Sequence, residues 1–258
     1  MKNYTLKEYA DLLSSVDMLA EAEMMGREET VITYLTYDSR AVTPGTLFIC
    51  KGAAFKEQYL ENAIRGARNP LNSWARSDSC YNETGEYVLG ENDLSLAGRL
   101  CRAGSDHRKF IRQILVSMDI TAPMYWWKEF DTYKVGTVAN STSTMHKIHA
   151  KPFELADFST DHMTAATLAQ FRTWVDYLEQ VRLRYMENKD KADWYDLIQL
   201  LPTSYDQKRT VTLNYEVLAN IYFARRSHKL DEWHTFCGVI AALPYAQEII
   251  LACGQEEK

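Results

Sequence analysis

Asn214, Asn220 and Arg225 lie within one short stretch, Thr210–Arg226, whose residue types suit a nucleotide better than a core. An asparagine amide both donates and accepts hydrogen bonds, and an arginine guanidinium presents a planar fork of donors that matches phosphate. The β-branched run Thr210, Val211, Thr212 predicts a strand that feeds straight into a helix beginning near Asn214. Arg225 follows Asn214 by eleven residues, about three helical turns, so the two project from nearly the same face. Asn220 lies off that line, and the three converge only on a ligand that wraps the helix or crosses a subunit boundary. The Arg225-Arg226 pair is the strongest local anion site in the sequence.

Other segments carry weaker chemistry. Tyr133–Ser143 reads as a polar loop in which Lys134, Asn140 and Ser143 supply a cation, an amide and a hydroxyl. Such a loop either cradles a phosphate or is simply solvated. His146 and His149, three apart, could sit together on a helix, but no third ligand accompanies them, so no metal site is expected. Trp126-Trp127 could stack on a ring, although burial in a core is the favoured use.

These residues must be positioned by a chain of 258 residues, enough for one large domain or two small ones. A hydrophobic content of 46% supports a substantial core. The net charge of −6 argues against a nucleic-acid groove, while local arginines could still hold a free nucleotide. No signal-peptide core and no run of 18 apolar residues is visible, so no membrane partner is expected. Five scattered cysteines without a C-x-x-C pair read as reduced thiols, and the expected setting is cytoplasmic.

Thr5–Glu8 fits a capping box opening a helix to about Val16, followed by strands over Val31–Leu35 and Leu47–Cys50 and a helix over Phe55–Ala67. Residues 68–91 lose periodicity and read as a linker or fusion joint. Asn92 or Asp93 then caps a helix that Gly104 ends. A strand through Ile114–Ile120 follows, then a buried aromatic turn over Tyr125–Phe130, a long helix over Leu168–Met186 and another over Trp194–Leu201. The last helices run from Leu230 to about Leu251 and break near Pro244.

Two family resemblances organise these elements. The string YDSRAVTPGTLFICKGAAFKEQYLENAIRGA, Tyr37–Ala67, resembles the N-terminal domain of MurE-type Mur ligases. That resemblance implies that Ser39 contacts a UDP-MurNAc-peptide. No G-x-x-x-x-G-K-[ST] phosphate loop for ATP occurs, so ligase activity is not expected. Downstream, Leu201-Pro202, Asn214, Asn220, Arg225 and Trp233 resemble the C-terminal signature of flavin-dependent thymidylate synthases (ThyX).

The second resemblance covers roughly residues 96–254 and implies an α+β fold, a ThyX-like sheet with packed helices. It also implies a homotetramer with sites at subunit interfaces, FAD as cofactor, dUMP as substrate, and methylene-tetrahydrofolate and NADPH as co-substrates. By the same resemblance Arg225 is the active-site arginine, Asn214, Asn220 and Asn140 contact flavin, and Ser143 and Lys134 contact substrate. The sequence departs from the family where R-H-R-x-x-S-x-N-E-x-S-x-R would stand, keeping Asn140 and Ser143, and Glu216 replaces an arginine of the second motif. The implied organisation is a Mur-like segment over 1–67, a joint over 68–91 and a ThyX-like domain over 92–258.

Overall fold

The computed structural model describes residues 54–254 and, before them, Tyr4–Thr5, Lys7, Asp11, Val31–Ile32, Tyr34–Thr36 and Thr46–Phe48. The chain divides into two compact units, Met1–Phe55 and Lys56–Lys258. In the first, β1 (Tyr4–Thr5) pairs antiparallel with β2 (Val31–Ile32), and β3 (Tyr34–Thr36) pairs parallel with β4 (Thr46–Phe48). Lys7 and Asp11 are helical, in line with the expected first helix. The rest of that helix, Ser39 and the Thr43-Pro44-Gly45 turn lie outside the described residues.

The helix α1 (Ala54–Arg68), of which all but the first two residues belong to the second unit, is followed by the hairpin of β5 (Cys80–Tyr81) and β6 (Tyr87–Val88). Next come α2 (Glu91–Arg102), a 3-10 segment over Arg108–Gln113, β7 (Leu115–Pro123), α3 (Met124–Phe130) and β8 (Thr137–Ser141). Two helices, α4 (Ala165–Asn188) and α5 (Lys191–Leu200), precede β9 (Asp206–Asn214), α6 (Tyr215–Arg225), α7 (Asp231–Ala241) and α8 (Ala246–Ile249). This mixed helix-and-sheet architecture is the α+β class that the sequence implies. No single helix among the described residues is long and apolar enough to cross a membrane.

The sheet is antiparallel in the order β7-β9-β8, with β9 pairing on both sides. Val211 and Leu213 of β9 are fully buried and alternate with half-buried Thr212 and Asn214, the period-two pattern of a strand with one covered face. Beside the sheet, Trp126 and Trp127 of α3 pack with Phe130, Trp233 and Phe236, and Trp126 lies 4.9 Å from Trp127 and 4.6 Å from Trp233 between ring centroids. Aromatic contacts of this kind each contribute about 0.5–1.5 kcal/mol beyond their buried area. The Trp126-Trp127 pair is therefore core, as favoured from sequence. A second cluster, including Phe153, Phe158, Leu178, Val181 and Leu197, forms where α4 and α5 pack together.

Three expectations change. Residues 68–91 hold 3-10 turns at Asn69–Leu71 and Trp74–Arg76 and the β5-β6 hairpin, where a joint was expected. Their organiser is Asp93, which is fully buried and accepts hydrogen bonds from Arg68 Nε, Ser77 Oγ, Asp78 N, and Ser79 N and Oγ. Asp93 is thus no helix cap. Instead Asp78 caps α2 from outside it, accepting from the backbone N–H groups of Asn92 and Asp93 at 2.8 and 3.0 Å. The polar "loop" after Lys134 is in fact an edge strand over Thr137–Ser141, because β9 satisfies its backbone whatever its side chains.

Burial alone would raise the Asp93 pKa, but the donors from Ser77, Ser79 and Arg68 outweigh it and hold the carboxyl below the ordinary aspartate range. A depressed folded pKa adds stability that is complete above the unfolded value and is lost as pH falls through the folded one. Asp93→Asn, which leaves Arg68 buried without a counter-charge, should cost about 3–5 kcal/mol in urea unfolding at neutral pH. The same substitution should flatten the loss of stability on acidification; an unchanged acid limb would remove Asp93 as its source.

Candidate functional site

The helix expected from Asn214 to Arg225 is α6, and both of its ends touch the segment that joins α3 to β8. At the N-terminal end, Asn214 leaves β9 in an extended conformation and its Oδ1 accepts from Val217 N at 3.1 Å, so it is the N-cap. Gly136 sits against it. A Cβ there would lie 3.0 Å from Asn214 Nδ2, and the φ of +77° is itself a glycine conformation.

At the other end, Arg225 is held on three sides. Its Nη1 donates to Glu129 Oε2 at 2.7 Å and its Nε donates to Tyr133 Oη at 2.9 Å. The guanidinium carbon stands 4.8 Å from the centre of the Trp233 ring, a cation–π contact. Glu129 Oε2 also accepts from Trp233 Nε1 at 3.0 Å and lies 3.3 Å from His228 Nε2. The arginine side chain is only 18% exposed and therefore fixed in direction. A fixed guanidinium can present its remaining N–H groups to an anion or to charge developing on a bound ring.

Glu216, in the first turn of α6, is answered by cations that the sequence reading missed. It pairs with Arg112, whose Nη2 donates at 3.2 Å, and with Arg108 at 3.8 Å. In this chain the positive charge beside Glu216 comes from the neighbouring 3-10 segment. A carboxylate in the first helical turn also complements the helix dipole. The signal for Arg108 and Arg112 was their four-residue spacing. For Glu129 it was a carboxylate within a Trp-rich turn, which aromatic content obscured.

The remaining candidates separate from this cluster. Lys134 is exposed on the segment between Tyr133 and Gly136. Asn140 is exposed on β8 opposite Thr210, four residues before Asn214 on β9 and hence about 13 Å along the strand. The Oγ of Ser143 accepts from His146 N at 2.9 Å and Met145 N at 3.3 Å, an exposed turn. Asn220 is exposed on α6. Within this one chain, then, the segment Tyr133–Gly136 runs beside α6 and contacts Asn214 at one end and Arg225 at the other, about 16 Å apart along the helix, while Asn140, Ser143 and Asn220 stand elsewhere. His146 and His149 lie in turns, not on a helix, and no group of metal-ligating side chains forms among the described residues.

Two crystal structures of Helicobacter pylori thymidylate synthase X, both with FAD and dUMP, superpose on this chain. One gives a TM-score of 0.57 at 19% identity, covering 75% of this chain and 94% of the ThyX chain. The chain has the ThyX fold. The second agrees, with a TM-score of 0.53 at 19% identity over 77% of this chain and 95% of ThyX. A short segment is similar to a different protein, UDP-N-acetylmuramoyl-L-alanyl-D-glutamate–L-lysine ligase. Identity to the Enterococcus faecalis ligase is 44% over 66 residues, 21% of this chain and 13% of the ligase. Identity to the Streptococcus pneumoniae ligase is 39% over 69 residues, again 13% of that protein. No protein-family model matches the chain.

On this ThyX fold the Arg225–Glu129 contact joins the site to the core, and its worth is measurable. Both side chains keep some exposure, so a double-mutant cycle of Glu129→Gln and Arg225→Gln, read by thermal melting, should give a coupling of about 1 kcal/mol. Strict additivity would show that the pair holds nothing in place.

Proposed function

We propose that this chain is a flavin-dependent thymidylate synthase-like protein that binds FAD and dUMP where α6 meets the Tyr133–Gly136 segment. The observation that carries the reading is the fixed Arg225 at the end of α6 in a chain of ThyX fold. Arg225 serves as the active-site arginine, set to stabilise negative charge on the pyrimidine. Asn214, Asn220 and Asn140 are the flavin contacts, and Lys134 and Ser143 the substrate contacts. Because Asn140 and Ser143 stand apart from Arg225 within one chain, we assign them to the site of a neighbouring subunit in a homotetramer. Bound flavin would supply the redox chemistry, with methylene-tetrahydrofolate as carbon donor and NADPH as reductant. We further propose a Mur-like segment over residues 1–67 preceding the ThyX-like part, and a cytoplasmic setting.

The purified protein should be yellow, with flavin absorption bands, and should release tritium from 5-tritiated dUMP when folate and NADPH are supplied. Arg225→Ala should lower that turnover by about 100-fold or more, the scale of removing one transition-state charge partner. A colourless protein that takes up no added FAD would overturn the reading.

A non-catalytic role is the second reading, and two observations favour it: Glu129 already neutralises Arg225, and Glu216 reverses a motif charge. It predicts thermal stabilisation by dUMP in a protein that never releases tritium. A third reading concerns the N-terminal unit alone, on the strength of its likeness to the lysine ligases. If that segment binds a UDP-MurNAc-peptide, calorimetry with UDP-MurNAc-dipeptide should detect it, and Ser39→Ala should remove the heat. No heat from the parent chain would dispose of that reading.

A further inference from the structure

A cavity of about 290 Å³ opens at the junction of α4 and α5, lined by His146, His149, Tyr185, Lys189, Lys191 and Trp194. Its lining is basic and aromatic in a chain whose net charge is −6. No described lining residue is a carboxylate. Of the acids on α4 and around the start of α5, Glu179 accepts two hydrogen bonds from Arg182, Asp193 accepts from Arg184 and Asn188, Asp190 caps α5 through Ala192 N, and Glu187 is exposed to solvent. Among the described residues neither lining lysine has a carboxylate partner: Lys189 Nζ meets Met186 Sδ at 3.3 Å, and Lys191 Nζ stands 5.6 Å from the centre of the Tyr195 ring.

The walls are fixed as well as charged. Trp194 Nε1 donates to Met145 O at 3.1 Å, which ties α5 to the turn that carries His146. His149 packs edge-on against Tyr185 at 5.0 Å, and Lys189 stands 5.2 Å from the centre of the same ring. Lys189 closes α4 in a left-handed conformation, with φ of 55°, which sets where its side chain leaves the backbone. The Nδ1 atom of His149 is shut off from water and has no hydrogen-bond partner. Burial, followed by Lys189, Lys147 and Arg182, pushes the His149 pKa down, so the imidazole feels several positive neighbours at once.

We propose that this cavity is a binding site for a phosphate monoester that also carries an aromatic ring, as a mononucleotide does through its sugar. Lys189, Lys191 and the histidine pair hold the phosphate, and Trp194 and Tyr185 flank the ring. The volume sits at the lower bound of small-ligand pockets, about 300 Å³, which suits a mononucleotide and not a dinucleotide such as FAD. This site is separate from the Arg225 cluster and does not rest on the flavin reading.

The test uses the full chain, with the imidazole resonances of His146 and His149 followed by NMR and assigned through His146→Gln and His149→Gln. Uridine 5′-monophosphate should shift both resonances and move the His149 midpoint to higher pH, because a bound dianion opposes the surrounding lysines. Inorganic phosphate should do the same more weakly, and uridine should do neither. Lys189→Gln with Lys191→Gln should weaken the nucleotide-induced shifts at least tenfold in concentration, whereas Arg225→Gln should leave them in place. Equal response to uridine, or an unchanged response in the double lysine variant, would overturn the proposal. Loss of the shifts in Arg225→Gln would assign them to the Arg225 cluster and overturn it too.

Discussion

The carboxylate of Glu129 is where three helices meet, and the site cannot be described without it. One oxygen accepts from Arg225 on α6 and Trp233 on α7, while its own helix, α3, carries the buried tryptophans of the core. A half-buried charge is stable only when its lone pairs are used. Here the partners are a guanidinium, an indole N–H and a histidine, so the carboxylate, the arginine and the aromatic wall fix one another. Arg225 is consequently aimed by the core, and its direction is a property of α3 and α7 as much as of α6.

The same logic governs charge elsewhere. Glu216 on α6 is balanced by Arg108 and Arg112, and Asp93 by Arg68. Each pair joins residues that are distant in sequence: Arg68 and Asp93 couple the ends of two helices, and Arg108 and Arg112 couple a 3-10 segment to the start of α6. In an acidic chain this arrangement consumes many arginines in structural pairs. Lys189 and Lys191, beside His149 at the junction of α4 and α5, line a cavity with no carboxylate among its described lining residues. Two separate anion-receptive regions thus arise from one rule of pairing.

Much of the fold was legible because its signals are local. The β-branched run before Asn214 and the apolar spacing of Leu168–Met186 report periodicities that short stretches of chain impose on themselves, and they became β9 and α4. The break near Pro244 and the buried aromatic turn at α3 followed in the same way. Residues 68–91 were not legible, since their order comes from hydrogen bonds to one aspartate that follows them. The strand β8 was hidden too: Thr137–Ser141 is exposed along nearly its whole length and lacks an apolar alternation, and only pairing with β9 makes it a strand.

By itself, the sequence determined the residue types available for chemistry, the helix that carries Asn214 and Arg225, and the ThyX-like character that the fold bears out. It also contained the ligase-like segment near its start. Tertiary structure alone decided which candidates meet. The Tyr133–Gly136 segment lies along α6 and contacts Asn214 at one end and Arg225 at the other, while Asn140 and Ser143 lie farther along β8 and beyond. It also decided that Arg225 has a carboxylate partner and that Glu216 is compensated. Those are long-range electrostatic facts, set by which surfaces pack together, and no spacing within a motif encodes them.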